Sequence, residues 1–208
     1  MIDEPIRLLL ACLIGYALGS IPFGVYISRA FGIDILKVGS GNIGATNVYR
    51  VMGAKAALPV LILDIAKGLI PSLLALYAFN LTSDGALLAG IFAVIGHCLS
   101  PFLGFKGGKG IATTLGAALG VVPYVALSAL GVFLVMLAIT RYVSLSSIVA
   151  MATTLIWGIV FKSTPAQFAI YALLTLFVIY RHRANIGRLL RGEEPKITKE
   201  KKVEEVHT

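Results

Sequence analysis

Long apolar runs alternate with short polar breaks along most of this chain. The runs cover 6–31, 54–79, 85–101, 111–140, 143–161 and 165–180. A helix that crosses a bilayer needs about 20 apolar residues, with shorter spans tolerated inside bundles. Every backbone polar group in hydrocarbon must be paired internally, so these runs are predicted to be helices. Ser20 and Pro22 interrupt the first run and predict a kink there. The 111–140 run is ambiguous, being either one long span or two short ones broken near Gly120 and Pro123. No repeat of fixed period is visible.

Charge decides between the two. A single crossing of 111–140 gives six spans and puts the basic segment 181–191 on the same side as Arg7, 80–84 and Arg141. Two crossings give seven spans and align the cations. Arg29, Lys37, Arg50, Lys55, Lys106, Lys109, Arg141 and the C-terminal cluster then share one side, and only Arg7 and Lys162 remain on the other. The positive-inside rule makes the rich side cytoplasmic. The expected architecture is an all-α polytopic bundle of about seven transmembrane helices, N-terminus out and C-terminus cytoplasmic. A five-span arrangement with re-entrant pieces is the second choice, and it keeps the same polar segments cytoplasmic. The weak element is 111–122, about 18 Å long at 1.5 Å per residue, which needs a short helix or a locally thinned bilayer. One domain is expected over 1–192. The tail at 193–208 is charged, short of large apolar residues and expected to be disordered. Asp3, Glu4 and Arg7 precede the first run without a basic n-region or an evident cleavage site, so that run reads as a retained span.

Composition agrees with this pattern. Of 208 residues 58% are hydrophobic and 13% charged, against about 25% charged in soluble domains. The mean hydropathy is +0.90. The net charge of +8 raises the question of nucleic acid. That reading is excluded, because the basic residues flank apolar runs and form no single soluble basic face. Cys12 and Cys98 lie in apolar runs and read as small buried hydrophobes, not as a disulfide. With three histidines, one of them the distant His207, no metal site is expected, and no cofactor is called for.

The chemistry is concentrated in three polar islands. The first reads Lys37-Val38-Gly39-Ser40-Gly41-Asn42-Ile43-Gly44-Ala45-Thr46-Asn47-Val48-Tyr49-Arg50. Its glycines, Ser40, Asn42, Thr46 and Asn47 offer many donors and few carboxylates, which suits a bound anion. Gly39, Gly41 and Gly44 match G-x-G-x-x-G, but no strand precedes them and no βαβ unit surrounds them, so a dinucleotide fold is discounted. A re-entrant turn packed under the bundle is the plainer reading, and Arg50 tips the balance to a site. The second island is Phe105-Lys106-Gly107-Gly108-Lys109-Gly110. It resembles part of a P-loop, yet Gly110 stands where a Ser or Thr is required, so nucleotide hydrolysis is not expected. Gly107 and Gly108 are expected to donate backbone N–H groups to an anion, beside Lys106 and Lys109. The following helix, with Thr113 and Thr114 in its early turns, points its positive end the same way. The third island, Arg181-His182-Arg183-Ala184-Asn185-Ile186-Gly187-Arg188-Leu189-Leu190-Arg191, could be a basic interfacial helix. His182 and Asn185 on one face are less easily explained by anchoring.

Inside the apolar runs, Asp64 and Lys67 are spaced to pair on one helix. Intramembrane ionisable groups suggest function, and a mutual tether suits them equally well. His97 is expected to be satisfied by an interhelical hydrogen bond.

Together the islands carry a family resemblance. Ser40-Gly41-Asn42-Ile43-Gly44-Ala45-Thr46-Asn47 with Arg50, then Phe105-Lys106-Gly107-Gly108-Lys109-Gly110, then Arg181-His182 with Asn185, resemble the three signature motifs of the bacterial acyl-phosphate:glycerol-3-phosphate acyltransferases of the PlsY type. The resemblance covers nearly all of the chain except the charged tail. It implies a bacterial inner-membrane enzyme that works at the cytoplasmic face, with long-chain acyl phosphate as donor and the 1-hydroxyl of glycerol 3-phosphate as acceptor. The products would be lysophosphatidic acid and phosphate, the first acylation of phospholipid synthesis, and a monomer is expected to suffice. Ser40 and the glycine loop would serve the acyl phosphate. Arg50, Lys109, His182 and Asn185, joined by Ser147, would serve glycerol 3-phosphate. Two phosphates side by side require several cations, and Arg50, Lys109 and Arg181 or Arg183 are the candidates by charge. The proton acceptor is either His182 or the donor's own phosphate. A transporter of a phosphorylated anion is the rival reading, since broken helices and an intramembrane Asp64–Lys67 pair also suit a carrier.

Overall fold

The computed structural model describes residues 3–197, and among these every regular element is helical. Helix α1 (Glu4–Ser20) stops at Ile21, and α2 (Phe23–Ala30) starts after Pro22. This is the interruption foreseen from Ser20 and Pro22, since proline supplies no N–H to continue the ladder. The first island becomes a loop at 31–44 followed by a short helix, α3 (Ala45–Met52). Helix α4 (Ala54–Leu73) runs on into a wider π-type turn at Leu74–Ala78. Helix α5 (Ser83–Cys98) leads through a single tight turn, Pro101–Leu103, to the second island. The ambiguous run divides in two at Val122: α6 (Ile111–Val121) and α7 (Pro123–Thr140). Helices α8 (Val143–Val160) and α9 (Pro165–Arg181) follow, and α10 (Arg183–Leu190) carries the third island.

Among the described residues five helical stretches are long and apolar enough to cross a membrane: Glu4–Ala30, Ala54–Ala78, Ser83–Leu103, Pro123–Thr140 and Val143–Val160. Ile111–Val121 and Pro165–Arg181 are apolar but shorter.

Small residues set the packing. Helix α1 lies against α5 where Gly15 and Gly19 meet the backbone of Ala89 and Ala93, and Gly96 returns the contact against Tyr16 and Ser20. Helices α4 and α6 approach through a reciprocal pair, Gly68 on the carbonyl of Thr113 and Gly116 on that of Ile65. Water-driven burial is weak between helices in lipid, so close backbone approach supplies the dispersion contact that holds them. Leu, Ile and Phe side chains are left on the outside, as on α7, where Leu127, Leu134 and Ile139 are exposed.

Hydrogen bonds sort the helix ends into two sets. At one end Arg7 donates to the Phe79 carbonyl (2.8 Å) and Gln167 to Asp84 (2.8 Å), while Val121 packs near Leu81. At the other, Tyr16 donates to Leu99 (2.9 Å), Arg50 to Pro195 (3.0 Å), and the Ile197 N–H to the Arg141 carbonyl (2.8 Å). All three islands belong to this second end.

The structure moves the end of the packed chain. The expected disordered tail was drawn from 193, but Glu194 is buried and residues 193–197 lie against α8 and α10. A carboxylate with three donors close by is better placed in the bundle than in water. The remainder of that tail, 198–208, lies outside the described residues.

Candidate active site

The first island is folded by one side chain. Asn47 is buried in α3, and its amide oxygen accepts from the Ser40 N–H (2.8 Å) while its amide nitrogen donates to the carbonyls of Asn42 (2.9 Å) and Val38 (3.2 Å). Asn42 in turn accepts from the Gly44 N–H (2.9 Å), an Asx turn that starts α3. Val48, Ile35, Ile43 and Val25 form the apolar cluster that seats this loop on α4. The fold thereby directs Arg50 to the cavity described below.

The second island is held from behind. The N–H groups of Gly107 and Gly108 donate to the carbonyls of Cys98 (3.0 Å) and His97 (3.1 Å), and Arg181 donates to the carbonyls of Gly107 (2.8 Å) and Gly108 (2.6 Å). The expectation that these two N–H groups serve an anion is therefore corrected, because the chain itself takes them. The free donors lie one step further on. Gly110 ends the loop at φ +83°, a conformation that L residues rarely adopt, and α6 starts directly after it. The first N–H groups of a helix have no acceptor within it, and Ile111 and Ala112 line the cavity. Thr114, also lining, has a buried hydroxyl without a partner among the described residues.

A cavity of about 490 Å³ joins the islands. It is lined by Ser40, Asn42, Gly44, Thr46, Asn47 and Arg50 from the first, Lys109 from the second, and His182 and Asn185 from the third. Ser147 lines it from α8, with its hydroxyl turned to the Val143 carbonyl (2.8 Å). Other anticipated residues lie elsewhere. Lys106 is exposed, Gly107 and Gly108 form the wall behind Lys109, Arg181 braces that wall, and Arg183 is exposed and stacked 4.6 Å from the Tyr180 ring.

Lys109 donates to the Asn185 amide oxygen, and the Asn185 amide nitrogen donates to Glu194 (2.6 Å). Glu194 also accepts from Ser144 (2.7 Å) and Arg188 (2.8 Å). Glu194 and Ser144 were not anticipated. An acidic residue a few positions beyond a run of arginines was the one available signal, and it reads equally as a solvated tail. Burial alone would raise the Glu194 carboxyl, but hydrogen bonds from Asn185, Ser144 and Arg188 hold it below its ordinary value. Burial brings the Lys109 ammonium down to about 8. Glu194 opposes the fall, and Arg188, Arg50 and Arg181 add to it. Arg50 is likewise lowered by burial, yet a guanidinium remains charged.

His182 is buried, and its Nδ1 lies 2.8 Å from the Val178 carbonyl. A carbonyl only accepts, so Nδ1 carries the proton and Nε2 of the neutral ring is an acceptor. Burial, then the nearby Lys109 charge, brings His182 down to about 4. The imidazole is therefore neutral at ordinary pH.

Asp64 and Lys67 do pair, at 2.9 Å, and Lys67 also donates to the Ile21 carbonyl (3.0 Å), at the break between α1 and α2. The pair tethers that break to α4. His97 Nδ1 stands 3.6 Å from Asp64, longer than a hydrogen bond, so the expectation of a satisfied interhelical bond is not met.

Beyond the polar end the cavity continues between α5, α6, α7, α8 and α9, with a lining that includes Leu115, Leu130, Phe133, Met151 and Leu174. Fold and cavity together define an integral membrane protein with a cationic pocket at the head of an apolar slot. The comparisons with known proteins narrow this class. The family model described as Glycerol-3-phosphate acyltransferase matches residues 9–192. The chain belongs to the glycerol-3-phosphate acyltransferase family, as its motifs implied. A protein of that name from Listeria monocytogenes is 46% identical over 195 residues, covering 92% of this chain and 98% of its own. One from Rhodospirillum rubrum is 47% identical over 197 residues, covering 91% of each. The fold is similar to the crystal structure of PlsY (YgiH), an integral membrane glycerol 3-phosphate acyltransferase, in its glycerol 3-phosphate form. The TM-score is 0.87 at 41% identity, over 92% of this chain and 96% of that one. The lysophosphatidic acid form of the same protein superposes with a TM-score of 0.85, over 92% and 95%.

Proposed function

We propose that this glycerol-3-phosphate acyltransferase takes its acyl group from a long-chain acyl phosphate and delivers it to the 1-hydroxyl of glycerol 3-phosphate. The single observation that carries the proposal is the two-part cavity: Arg50, Lys109, His182 and Asn185 at its head and an apolar slot behind. Both substrates are anions, and two unit charges 4 Å apart interact by roughly 4 kcal/mol at an effective dielectric of 20. Holding two phosphates together is thus the main task, and Arg50 and Lys109 supply the charge. The first N–H groups of α6 and the hydroxyls of Ser40 and Thr114 are the short-range donors, while Ser147, whose proton goes to the Val143 carbonyl, can only accept.

In the step itself the 1-hydroxyl oxygen bonds to the acyl carbon and the bond from that carbon to the phosphate oxygen breaks. Phosphate departs and an ester remains. Nε2 of His182 accepts a hydrogen bond from the attacking hydroxyl. A ring whose conjugate acid has a pKa of about 4 is a weak base, so His182 orients the hydroxyl and the proton ends on the departing phosphate.

The same reading includes a setting. The five long apolar helical stretches and the two shorter ones, Ile111–Val121 and Pro165–Arg181, all cross the bilayer, the N-terminus is outside, and the islands lie at the cytoplasmic face of a bacterial inner membrane. The gathering of cations at one end of the bundle supports this. The working unit in this reading is a monomer among membrane lipids.

Purified protein in detergent or lipid, given acyl phosphate and glycerol 3-phosphate, is the test. Phosphate release that depends on the acceptor is expected. Uptake of glycerol 3-phosphate into liposomes without chemistry would instead establish a carrier.

A further inference from the structure

The apolar slot has a closed end. On α8 its lining starts at Ser144 and Ser147 and continues through Ala150 and Met151 to Thr154, about 15 Å along the helix. Thr154 gives its hydroxyl to the Met151 carbonyl (2.6 Å), which satisfies its polar group within the helix. On α9 the lining runs the other way, from His182 past Leu174 to Tyr171, about 16 Å. There Leu87, Val125 and Tyr171 close together, with exposures of 2%, 3% and 4%. These three residues belong to the first two turns of α5, α7 and α9, the ends opposite to the islands.

The closing residue is also pinned. The Tyr171 hydroxyl shares a hydrogen bond with Ser163 (3.2 Å), and its ring lies where a side chain on Gly158 would stand. Just beyond, Thr164 and Gln167 both donate to Asp84, at 3.0 and 2.8 Å, and fix the α8–α9 turn to the start of α5.

We infer that Tyr171, seated on Leu87 and Val125, is the floor of the acyl-chain slot and sets the longest chain the donor can bury. The inference rests on the acyl-transfer reading above. The slot from His182 to Tyr171, about 16 Å at 1.5 Å per helical residue, holds a finite number of methylenes before the chain meets the floor. Each methylene buried short of the floor raises kcat/KM about fourfold, and each one beyond it has nowhere to go.

The test is kcat/KM for a ladder of saturated acyl phosphates at fixed glycerol 3-phosphate, with the purified enzyme in lipid. The wild type is expected to climb and then break. Tyr171→Leu deepens the slot and moves the break to longer donors. Ala126→Phe, beside Val125 in the lining, shallows it and moves the break to shorter ones. Should Tyr171→Leu fail to fold, Ala126→Phe with Leu87→Phe decides. Active variants that keep the wild-type ladder, or lose rate equally at every length, overturn the floor. The chain would then leave sideways into lipid while the acyl-transfer reading stands. A wild type that acylates glycerol 3-phosphate from no acyl phosphate overturns both.

Discussion

Lys109 donates a hydrogen bond to Asn185, although 76 residues separate them, and the same amide passes a second bond to Glu194 at 2.6 Å. Asn185 is thus the link between the cation of the second island and the carboxylate that follows the third. Asn185→Ala removes both bonds and leaves a buried ammonium without its acceptor. Hydrogen bonds to charged groups are worth about 1.5–3 kcal/mol, so kcat/KM for glycerol 3-phosphate is expected to fall about 10- to 150-fold. Steady-state kinetics on the purified variant read this directly, and an unchanged value would remove Asn185 from the site.

The second prediction concerns pH. Lys109, held at about 8, loses its charge as pH rises through that value, and the anion site weakens with it. kcat/KM reports the free enzyme, so its alkaline limb should fall from near pH 8 with a slope of one. Lys109→Arg keeps its charge throughout and should move that limb upward, at a lower plateau because a planar fork replaces a point donor. A limb that stays in place in Lys109→Arg belongs to another group.

His182 separates binding from proton transfer. A true general base contributes about 10²- to 10⁴-fold to turnover. As a hydroxyl-orienting group, His182→Ala is expected to raise the KM for glycerol 3-phosphate more than it lowers kcat. No acid limb near pH 6.5 should be traceable to this ring, because its own pKa is about 4. Normal KM with abolished turnover would make it the base.

Much of this arrangement is legible in the sequence, and the reasons differ by element. Pro22 and Pro123 announce the helix breaks, since proline lacks the N–H that a continuing helix requires. The Asp64–Lys67 spacing announces its pair. Convergence of the islands followed from charge, because one side of the membrane had to hold the cations. The fate of the Gly107 and Gly108 N–H groups was not legible. It depends on carbonyls of residues 97 and 98, which come near only when the turn after α5 folds back. Glu194 was missed for a related reason: its value lies in Ser144, 50 residues away, and local composition describes only a charged tail.

The cysteines give a negative control for mechanism. Cys12 and Cys98 are buried thiols, and neither lines the cavity. Acyl transfer through a thioester is therefore not expected, and the Cys12→Ala/Cys98→Ala double variant should keep its activity once a modest packing loss is allowed for. Turnover lost in a variant that remains folded by size-exclusion profile and thermal melt would reopen a covalent route.

The wall behind Lys109 supplies the last prediction. Gly108 is not in the left-handed region, so its backbone would accept alanine, but a Cβ there would run into Nε2 of His97. His97 has little freedom to withdraw, being buried with its Nδ1 3.6 Å from Asp64. In Gly108→Ala the loop must yield, and Lys109, the next residue, moves with it. A misplacement of about 1 Å in a positioning group costs about 10²-fold in rate, so a loss of that order in kcat/KM is expected, with a smaller change in melting temperature. If the clash is the cause, trimming its other side should relieve it. His97→Ala in the Gly108→Ala background is then expected to recover part of the lost activity, although His97→Ala alone brings no gain. Contacting residues of this kind show coupling energies of about 0.5–3 kcal/mol in a double-mutant cycle. Strict additivity of the two substitutions would show that the imidazole does not set the position of the loop.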